Sequence, residues 1–277
     1  MTKFADLHIH TNYSDGVQSP QQVVEDSLSC GLSCIAITDH DTVEGIQPTM
    51  DAAKGRDLEV IVGIEFSTEI HDRDVHILGY LFDRKNEKIS EGISLFQNAR
   101  LRRIEKMIQK LEALGIDNIK PEEVFALAKS DSVGRPHLAA LLIEKGWVKD
   151  MRTAFGKYLG ENGPAYVPKY KQTPYEAIAL IRQAGGVAVL AHPMITNKDE
   201  LIPSFMEAGL VGIEVYYPNC ARNVIEYYEG IAKKNGLIMT GGSDSHGDFK
   251  DNTFIGKAMV PYKIVEQLRE KCPGKTT

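Results

Sequence analysis

The chain contains no apolar run approaching the ~20 residues that a membrane-spanning helix needs. No basic segment followed by an apolar core precedes its first β-prone stretch, so a secretory signal is not expected and the reading is a cytoplasmic protein. Cysteine is sparse. Cys30, Cys34, Cys220 and Cys272 are scattered without zinc-finger spacing, which fits small buried thiols in a reducing compartment rather than a disulfide framework. Positive charge is short as well: 32 Lys and Arg against 38 Asp and Glu give a net charge of −6. That balance argues against a protein that coats long nucleic acid by neutralising its phosphates. It leaves room for a small phosphorylated substrate held by a few local cations. Internal repeats and low-complexity tracts are absent too.

What is present is an ordinary globular composition, 43% apolar and 25% charged, over 277 residues. This length suits a single α/β barrel. Strand-length, β-branched stretches fall near 4–10 (FADLHIH), 34–38 (CIAIT), 59–66 (EVIVGIEF), 75–81 (VHILGYL), 186–191 (GVAVLA), 211–216 (VGIEVY) and 237–241 (LIMTG). Amphipathic helices lie between them. SPQQVVEDSLSCG places Ser19 as cap, Pro20 at the first position and Gly31 past the end, and TPYEAIALIRQAGG repeats that grammar from Thr173. Strands alternating with helices predict parallel pairing and right-handed crossovers.

The alternation stops between 87 and 172. There Ile93, Phe96, Leu101, Ile104, Ile108 and Leu111 keep a helical rhythm, and shorter helical pieces follow. The expectation is a barrel built from 1–86 and 173–277, with 87–172 inserted as a helical cap beside the site. Arg100, Arg102 and Arg103 read as a solvated helix face.

Eight histidines are unremarkable in number but not in position. In DLHIH, strict alternation would put Asp6, His8 and His10 on one side of a strand, with Leu7 and Ile9 opposite. His40 follows the second strand, Glu65 lies late in the third, and His76 belongs to the fourth. His192 closes the fifth, and Asp244 and His246 follow the last. All are expected at the C-terminal ends of parallel strands, where barrel enzymes assemble their sites. Clustered imidazoles are costly to desolvate, and repel once protonated; divalent cations bound by neutral imidazole and carboxylate remove both costs. With Asp15 added there are nine candidate ligands, too many for one tetrahedral ion. Two or three ions sharing a bridging carboxylate fit, Glu65 being the natural bridge. The mixed donors suit manganese, zinc or iron.

DLHIHTNYSDG, ITDHDT, GIEFS, VHILGY, GRPH, LAHP and GSDSHG together resemble the PHP (polymerase and histidinol phosphatase) family, most of all its stand-alone phosphoesterases. The resemblance spans residues 6–247 and implies a distorted (β/α)7 barrel with a trinuclear metal centre. Carried over by position, one ion would take His8, His10, Glu65 and Asp244. A second would share Glu65 and take His76 and His192. The third would take Asp15, His40 and His246. Asp15 departs from members that carry His there and is similar to the branch acting on nucleotide-type phosphates. Members of that branch release the 3′-phosphate of nucleoside 3′,5′-bisphosphates, and some trim short RNA from the 5′ end. Histidinol-phosphate phosphatase is the other enzymatic relative. An amidohydrolase reaction at carbon is disfavoured by the extra ligands, and a non-catalytic binding module by the completeness of the set.

The expected chemistry is phosphomonoester hydrolysis by a metal-activated hydroxide, with Asp244 and His246 among the catalytic groups and no Ser or Cys nucleophile. Arg135 and His137, in GRPH, are expected to bind the substrate phosphate, Arg135 as a bidentate clamp and His137 as a hydrogen-bond or proton donor. Lys169 and Lys171, in VPKYK, are expected to hold a second phosphate. Asp6 and Asp39 are expected behind the ligands, orienting imidazoles. Asp41 is expected to face solvent or cap a turn, and His71 to be a loop residue. Gly241 and Gly242 mark either a phosphate-admitting turn or a plain one.

Overall fold

The computed structural model describes residues 2–71, 73–127, 133–168, 172–247 and 253–273. Lys169 and Lys171 lie outside the described residues. Strand β1 (Phe4–Ile9) leads through α1 (Pro20–Ser29) to β2 (Cys34–Ile37), then through α2 (Ile46–Ala53) to β3 (Glu59–Ile70) and β4 (Arg73–Tyr80). Next come α3 (Glu87–Ala113), α4 (Pro121–Leu127), α5 (Arg135–Glu144), α6 (Met151–Ala154) and a π-helical turn over Phe155–Leu159. The chain resumes alternation with α7 (Pro174–Gln183), β5 (Val187–Leu190), α8 (Pro193–Thr196), α9 (Ile202–Ala208), β6 (Leu210–Tyr216), α10 (Arg222–Asn235) and β7 (Ile238–Gly241). It ends with β8 (Val260–Pro261) and α11 (Lys263–Glu270).

One sheet runs in the order β7-β6-β5-β4-β3-β2-β1-β8 and nearly closes into a barrel. Closure comes from the segment after β7, where Ser245 bridges Ile9 and its carbonyl accepts from the His10 N–H at 3.0 Å. A Cβ on Gly242 would sit 2.4 Å from the His8 nitrogen, so glycine is required there by the close approach to β1. The Gly241–Gly242 pair is thus a seam of the barrel.

The expected parallel pairing holds for β1–β2, β2–β3, β5–β6 and β6–β7. It fails at β4, which is antiparallel to both β3 and β5. Too few residues separate Phe66 from Val75 for a crossover of the dozen or more that parallel strands need, so β3 runs on to Ile70 and turns directly into β4. His71 sits in that turn at φ 50°. His76 therefore enters the site from the first half of a reversed strand, not from a C-terminal end.

The alternation predicted for β1 is also interrupted. Its register against β2 shifts between Asp6 and Ile9. Leu7 consequently packs with Tyr80 and Val189 inside the barrel, while Ile9 joins Val23 and Ile35 beneath α1. Such bulges re-aim side chains and recur beside active sites.

Helix α3 links two cores. Ile89 and Ile93 pack on the barrel's outer layer with Ile178 and Phe205. Ile104, Met107, Ile108 and Leu111 pack instead with Leu138, Leu142 and Leu159 of the later inserted helices. The helix changes apolar partners around residue 100, and that change leaves Arg100 and Arg103 over the barrel mouth.

Candidate metal centre

The barrel mouth brings eight of the nine predicted ligands together in three groups, with His192 beside the second. In each group the donor atoms all lie within 4.8 Å of one another. The first joins His8, His10, Glu65 and Asp244, all buried. His8 Nε2 lies 3.3 Å from Glu65 Oε2 and 3.5 Å from Asp244 Oδ1, while His10 Nε2 is 3.2 Å from each. The second joins His40, Glu65 and His76, with His76 Nδ1 2.9 Å from Glu65 Oε1. His192 Nε2 stands 3.1 Å from that same oxygen. The third joins Asp15, His40 and His246, and His10 belongs to it as well. His246 Nε2 is 3.1 Å from Asp15 Oδ1. Glu65 thus touches five imidazoles, each carboxylate oxygen serving different ones, as a shared ligand requires.

These donors fit divalent cations for a reason visible in the protein itself. His8 Nε2 and His10 Nε2 approach to 3.1 Å, so a proton on one can serve only one bond while several acceptors converge. Buried His192 Nδ1 has no hydrogen-bond partner among the described residues, and His246 Nε2 and Asp15 Oδ1 face each other without the alignment of a hydrogen bond. Burial lowers the pKa of His10, but Asp244 and Glu65 outweigh it and raise the imidazole to about 9. Burial would raise the carboxyl of Glu65, yet the surrounding histidines hold it well below its ordinary range. A cluster of ionised carboxylates around imidazole nitrogens is a cation site by composition.

The backbone here is unusual too. Asp41, His192 and Asp244 adopt positive φ values of 51°, 25° and 47°. Non-glycine residues hold such conformations only where neighbouring bonds over-determine them. The His192 N–H donates to Glu214 Oε2 at 2.9 Å, and Tyr217 Oη donates to Asp244 Oδ2 at 2.8 Å. Burial, reinforced by Asp244, pushes the Tyr217 phenol far up, so it stays a neutral donor.

Glu214 is the residue that sequence reading missed. It is fully buried in β6, and its Oε1 lies 3.0 Å from His8 Nδ1, fixing His8 with Nε2 toward the cluster. The signal was a lone carboxylate in the otherwise apolar VGIEVY. The expected orienting residues do something else. Asp6 accepts from the backbone N–H groups of Ser243 (2.9 Å), Gly256 (2.8 Å) and His8 (3.3 Å), tying β1 to the chain after β7. Asp39 accepts from the Thr11 amide and hydroxyl and from Ser14 Oγ, each at 2.7 Å, shaping the loop that carries Asp15. Neither carboxylate hydrogen-bonds an imidazole, because the bulge and the loop turn each toward backbone donors.

Asp41 is buried rather than solvent-facing. It accepts from the Ser67 N–H at 2.8 Å and from Arg100 Nε at 2.6 Å. Arg100 also donates to Ser67 Oγ at 2.7 Å, and that oxygen lies 3.2 Å from His40 Nδ1. The solvated-face reading therefore holds for exposed Arg102 alone. Arg103 is 8% exposed and donates from Nε to the Val167 carbonyl at 2.7 Å.

A cavity of about 210 Å³ lies over the cluster, floored by Asp15, His40, Ser67 and His76 and roofed by Arg100, Arg103 and Arg135. Arg135 opens α5, and its guanidinium carbon lies 5.6 Å from the ring centroids of both Phe155 and Tyr166. His137 is turned toward its own helix start, with Nδ1 accepting from the Gly134 N–H at 3.0 Å, and does not line this cavity. Burial lowers its pKa. Beyond Tyr166 a second cavity, of about 360 Å³, is lined by Glu69, Arg73, Asp74, Glu161 and Ile195. The pairs Ser67–His76 and Glu69–Asp74 are successive on one face of the β3–β4 hairpin, so the two cavities follow one another along it.

Residues 6–269 match the model of the PHP domain. The chain is 32% identical over 256 residues to a 3′,5′-nucleoside bisphosphate phosphatase of Chromobacterium violaceum, covering 91% of this chain and 90% of that protein. It is 35% identical over 251 residues to a 5′-3′ exoribonuclease of Haemophilus influenzae, covering 89% and 91%. A solved structure from Bifidobacterium adolescentis, assigned as a metal-dependent phosphoesterase, superposes with a TM-score of 0.86 at 31% identity, over 98% of this chain and 97% of the other.

Proposed function

The chain belongs to the PHP family of metal-dependent phosphoesterases, and from that premise we propose that it removes the 3′-phosphate of nucleoside 3′,5′-bisphosphates. The observation that carries the reading is the two-sided cavity: carboxylates and imidazoles below, three guanidiniums above. A cation site facing a cationic roof selects a ligand with high negative charge density, and phosphate is that ligand. The adjoining cavity beyond Tyr166 gives room for the rest of a nucleotide.

His8, His10, Glu65 and Asp244 would hold one ion; Glu65 and His76, with His40 or His192, a second; Asp15, His40 and His246, with His10, a third. Bound there, two or three divalent ions would acidify a water and stabilise phosphoryl charge. The chain's own contribution is positional. Glu214 holds His8, Tyr217 holds Asp244, and the Asp41–Arg100–Ser67 group holds the loop of His40. Arg135, propped on Phe155 and Tyr166, would bind phosphate oxygens. His137 would position Arg135 by fixing the start of α5. Lys169 and Lys171 remain proposed contacts to a second phosphate.

The test is phosphate release by manganese-loaded protein from adenosine 3′,5′-bisphosphate, L-histidinol phosphate and a short 5′-phosphorylated RNA. The reading expects kcat/KM for the bisphosphate to exceed that for histidinol phosphate by at least about a hundredfold, leaving 5′-AMP. A preference for histidinol phosphate would overturn it. Dominant release of mononucleotides from RNA would make the bisphosphate a secondary substrate.

A further inference from the structure

Tyr217 faces the barrel mouth because β6 breaks its alternation. Against β7, Glu214 pairs with Thr240 and Tyr216 with Gly241, so β6 accommodates an extra residue between them. Glu214 points inward to His8, and strict alternation would send Tyr216 inward and Tyr217 outward. Instead Tyr216 Oη donates to Glu229 of α10 at 3.0 Å, and half-buried Tyr217 donates to Asp244 Oδ2 at 2.8 Å. The Tyr217 ring stands edge-on to His192, with centroids 5.8 Å apart. Asp244 turns its other oxygen, Oδ1, toward His10 Nε2 at 3.2 Å and His8 Nε2 at 3.5 Å. Glu65 is limited in the same way by sharing: Oε2 lies beside those two nitrogens, while Oε1 faces His76 and His192. The first group therefore offers two nitrogens and two oxygens, one atom from each residue. Four single donors match the coordination number of a tetrahedral ion such as zinc. Larger ions such as manganese and calcium take more donors, and calcium often takes both oxygens of one carboxylate.

From this arrangement we infer that Tyr217 is a positioning residue that holds Asp244 to one donor oxygen and thereby sets the ion preference of the first group. The preference runs toward four-coordinate ions and against larger ones that use both carboxylate oxygens. The inference rests on the reading of His8, His10, Glu65 and Asp244 as ligands of one ion, and it does not depend on which phosphate ester is hydrolysed. An ion content with Oδ1 leaves the phenol's hydrogen bond to Oδ2 intact. An ion that also takes Oδ2 must displace that bond, a charge-assisted one worth about tenfold in binding. The cost falls on one class of ion only, and that makes it a filter as well as a support.

Tyr217→Phe removes one oxygen and keeps the ring against His192. Metal-free variant and parent, matched in melting temperature, are titrated in competition with calibrated chelators, with zinc and separately with manganese. The preference for zinc over manganese should fall about tenfold in Tyr217→Phe. Glu214→Gln is the control. It disturbs a ring that gives one nitrogen to any ion, so it should weaken both ions and leave the preference where it was. The other two groups contain neither Tyr217 nor Asp244, so a changed preference belongs to the first. Equal weakening of both ions in Tyr217→Phe, or no change in either, would overturn the inference and leave the tyrosine a structural support. Tight binding of neither ion by the parent would refute the ligand reading itself.

Discussion

The Glu214 carboxylate lies 3.0 Å from His8 Nδ1 and accepts the His192 amide hydrogen through its other oxygen at 2.9 Å. One buried side chain in β6 thereby sets the ring of a candidate ligand on β1 and the strained backbone of a candidate ligand after β5. Replacing it by glutamine leaves one oxygen for two donors and presents an amide N–H to one of them. Glu214→Gln should therefore weaken metal binding by about 10- to 100-fold, the usual cost of losing such an orienting partner. Competition with a calibrated chelator measures it. Activity should return at raised manganese, and failure to return would mean that the carboxylate has a role in the reaction itself.

How much of this was legible depended on the length scale of the signal. The cluster of candidate ligands and seven strands were readable because each is written in a few adjacent residues, such as DLHIH or VAVLAH. The reversal of β4 was readable in principle, since eight residues between Phe66 and Val75 cannot form a crossover, but apolar alternation hides strand direction. The bulge in β1 and the short β8 carry no local pattern at all. Arg103 was misread because a helix that changes apolar partners midway has no single polar face; its burial follows from α5 and the Val167 segment, which are distant in sequence. Glu214 shows the opposite case: one carboxylate in an apolar strand is a strong hint, but its partner His8 lies 206 residues away.

The Asp41–Arg100 pair joins the inserted helix α3 to the loop of His40, with side chains 1% and 21% exposed. Removing the cation alone strands a buried carboxylate. Arg100→Met should cost about 3 kcal/mol, read from urea unfolding of the metal-loaded protein. The double variant Asp41→Asn/Arg100→Met should recover a large part of that loss, since nothing charged is then left unpaired. Additive losses in the double variant would show that the two residues do not act as a pair.

Arg135 tests the roof separately from the floor. Its guanidinium contacts Phe155, Tyr166 and the Leu159 carbonyl, and among the described residues it makes no hydrogen bond to a candidate ligand. Arg135→Ala should leave the metal content unchanged and raise KM for the phosphorylated substrate about tenfold or more, the worth of a charged hydrogen bond. Arg135→Lys should restore only part, because an ammonium cannot reproduce the planar fork. Metal loss in Arg135→Ala would place the residue in the support of the centre instead.

The last prediction concerns protons. Burial opposes protonation of His10, but Asp244 and Glu65 prevail and raise its imidazole to about 9, above the ordinary value near 6.5. A raised pKa favours the folded, metal-free protein below the ordinary value, and that contribution is lost as pH rises through about 9. A cation needs the neutral ring, so its binding must displace this proton wherever the ring is charged. Metal affinity should accordingly rise with pH, by up to about tenfold per unit for each proton displaced, and level off near pH 9. Titration calorimetry at pH 7 in two buffers of different ionisation enthalpy gives the count directly. With the His10 imidazole raised to about 9, the expected result is at least one proton released as the His8–His10–Glu65–Asp244 group fills. Release of none would mean that His10 is neutral before the metal arrives, and that the two carboxylates beside it share a proton instead.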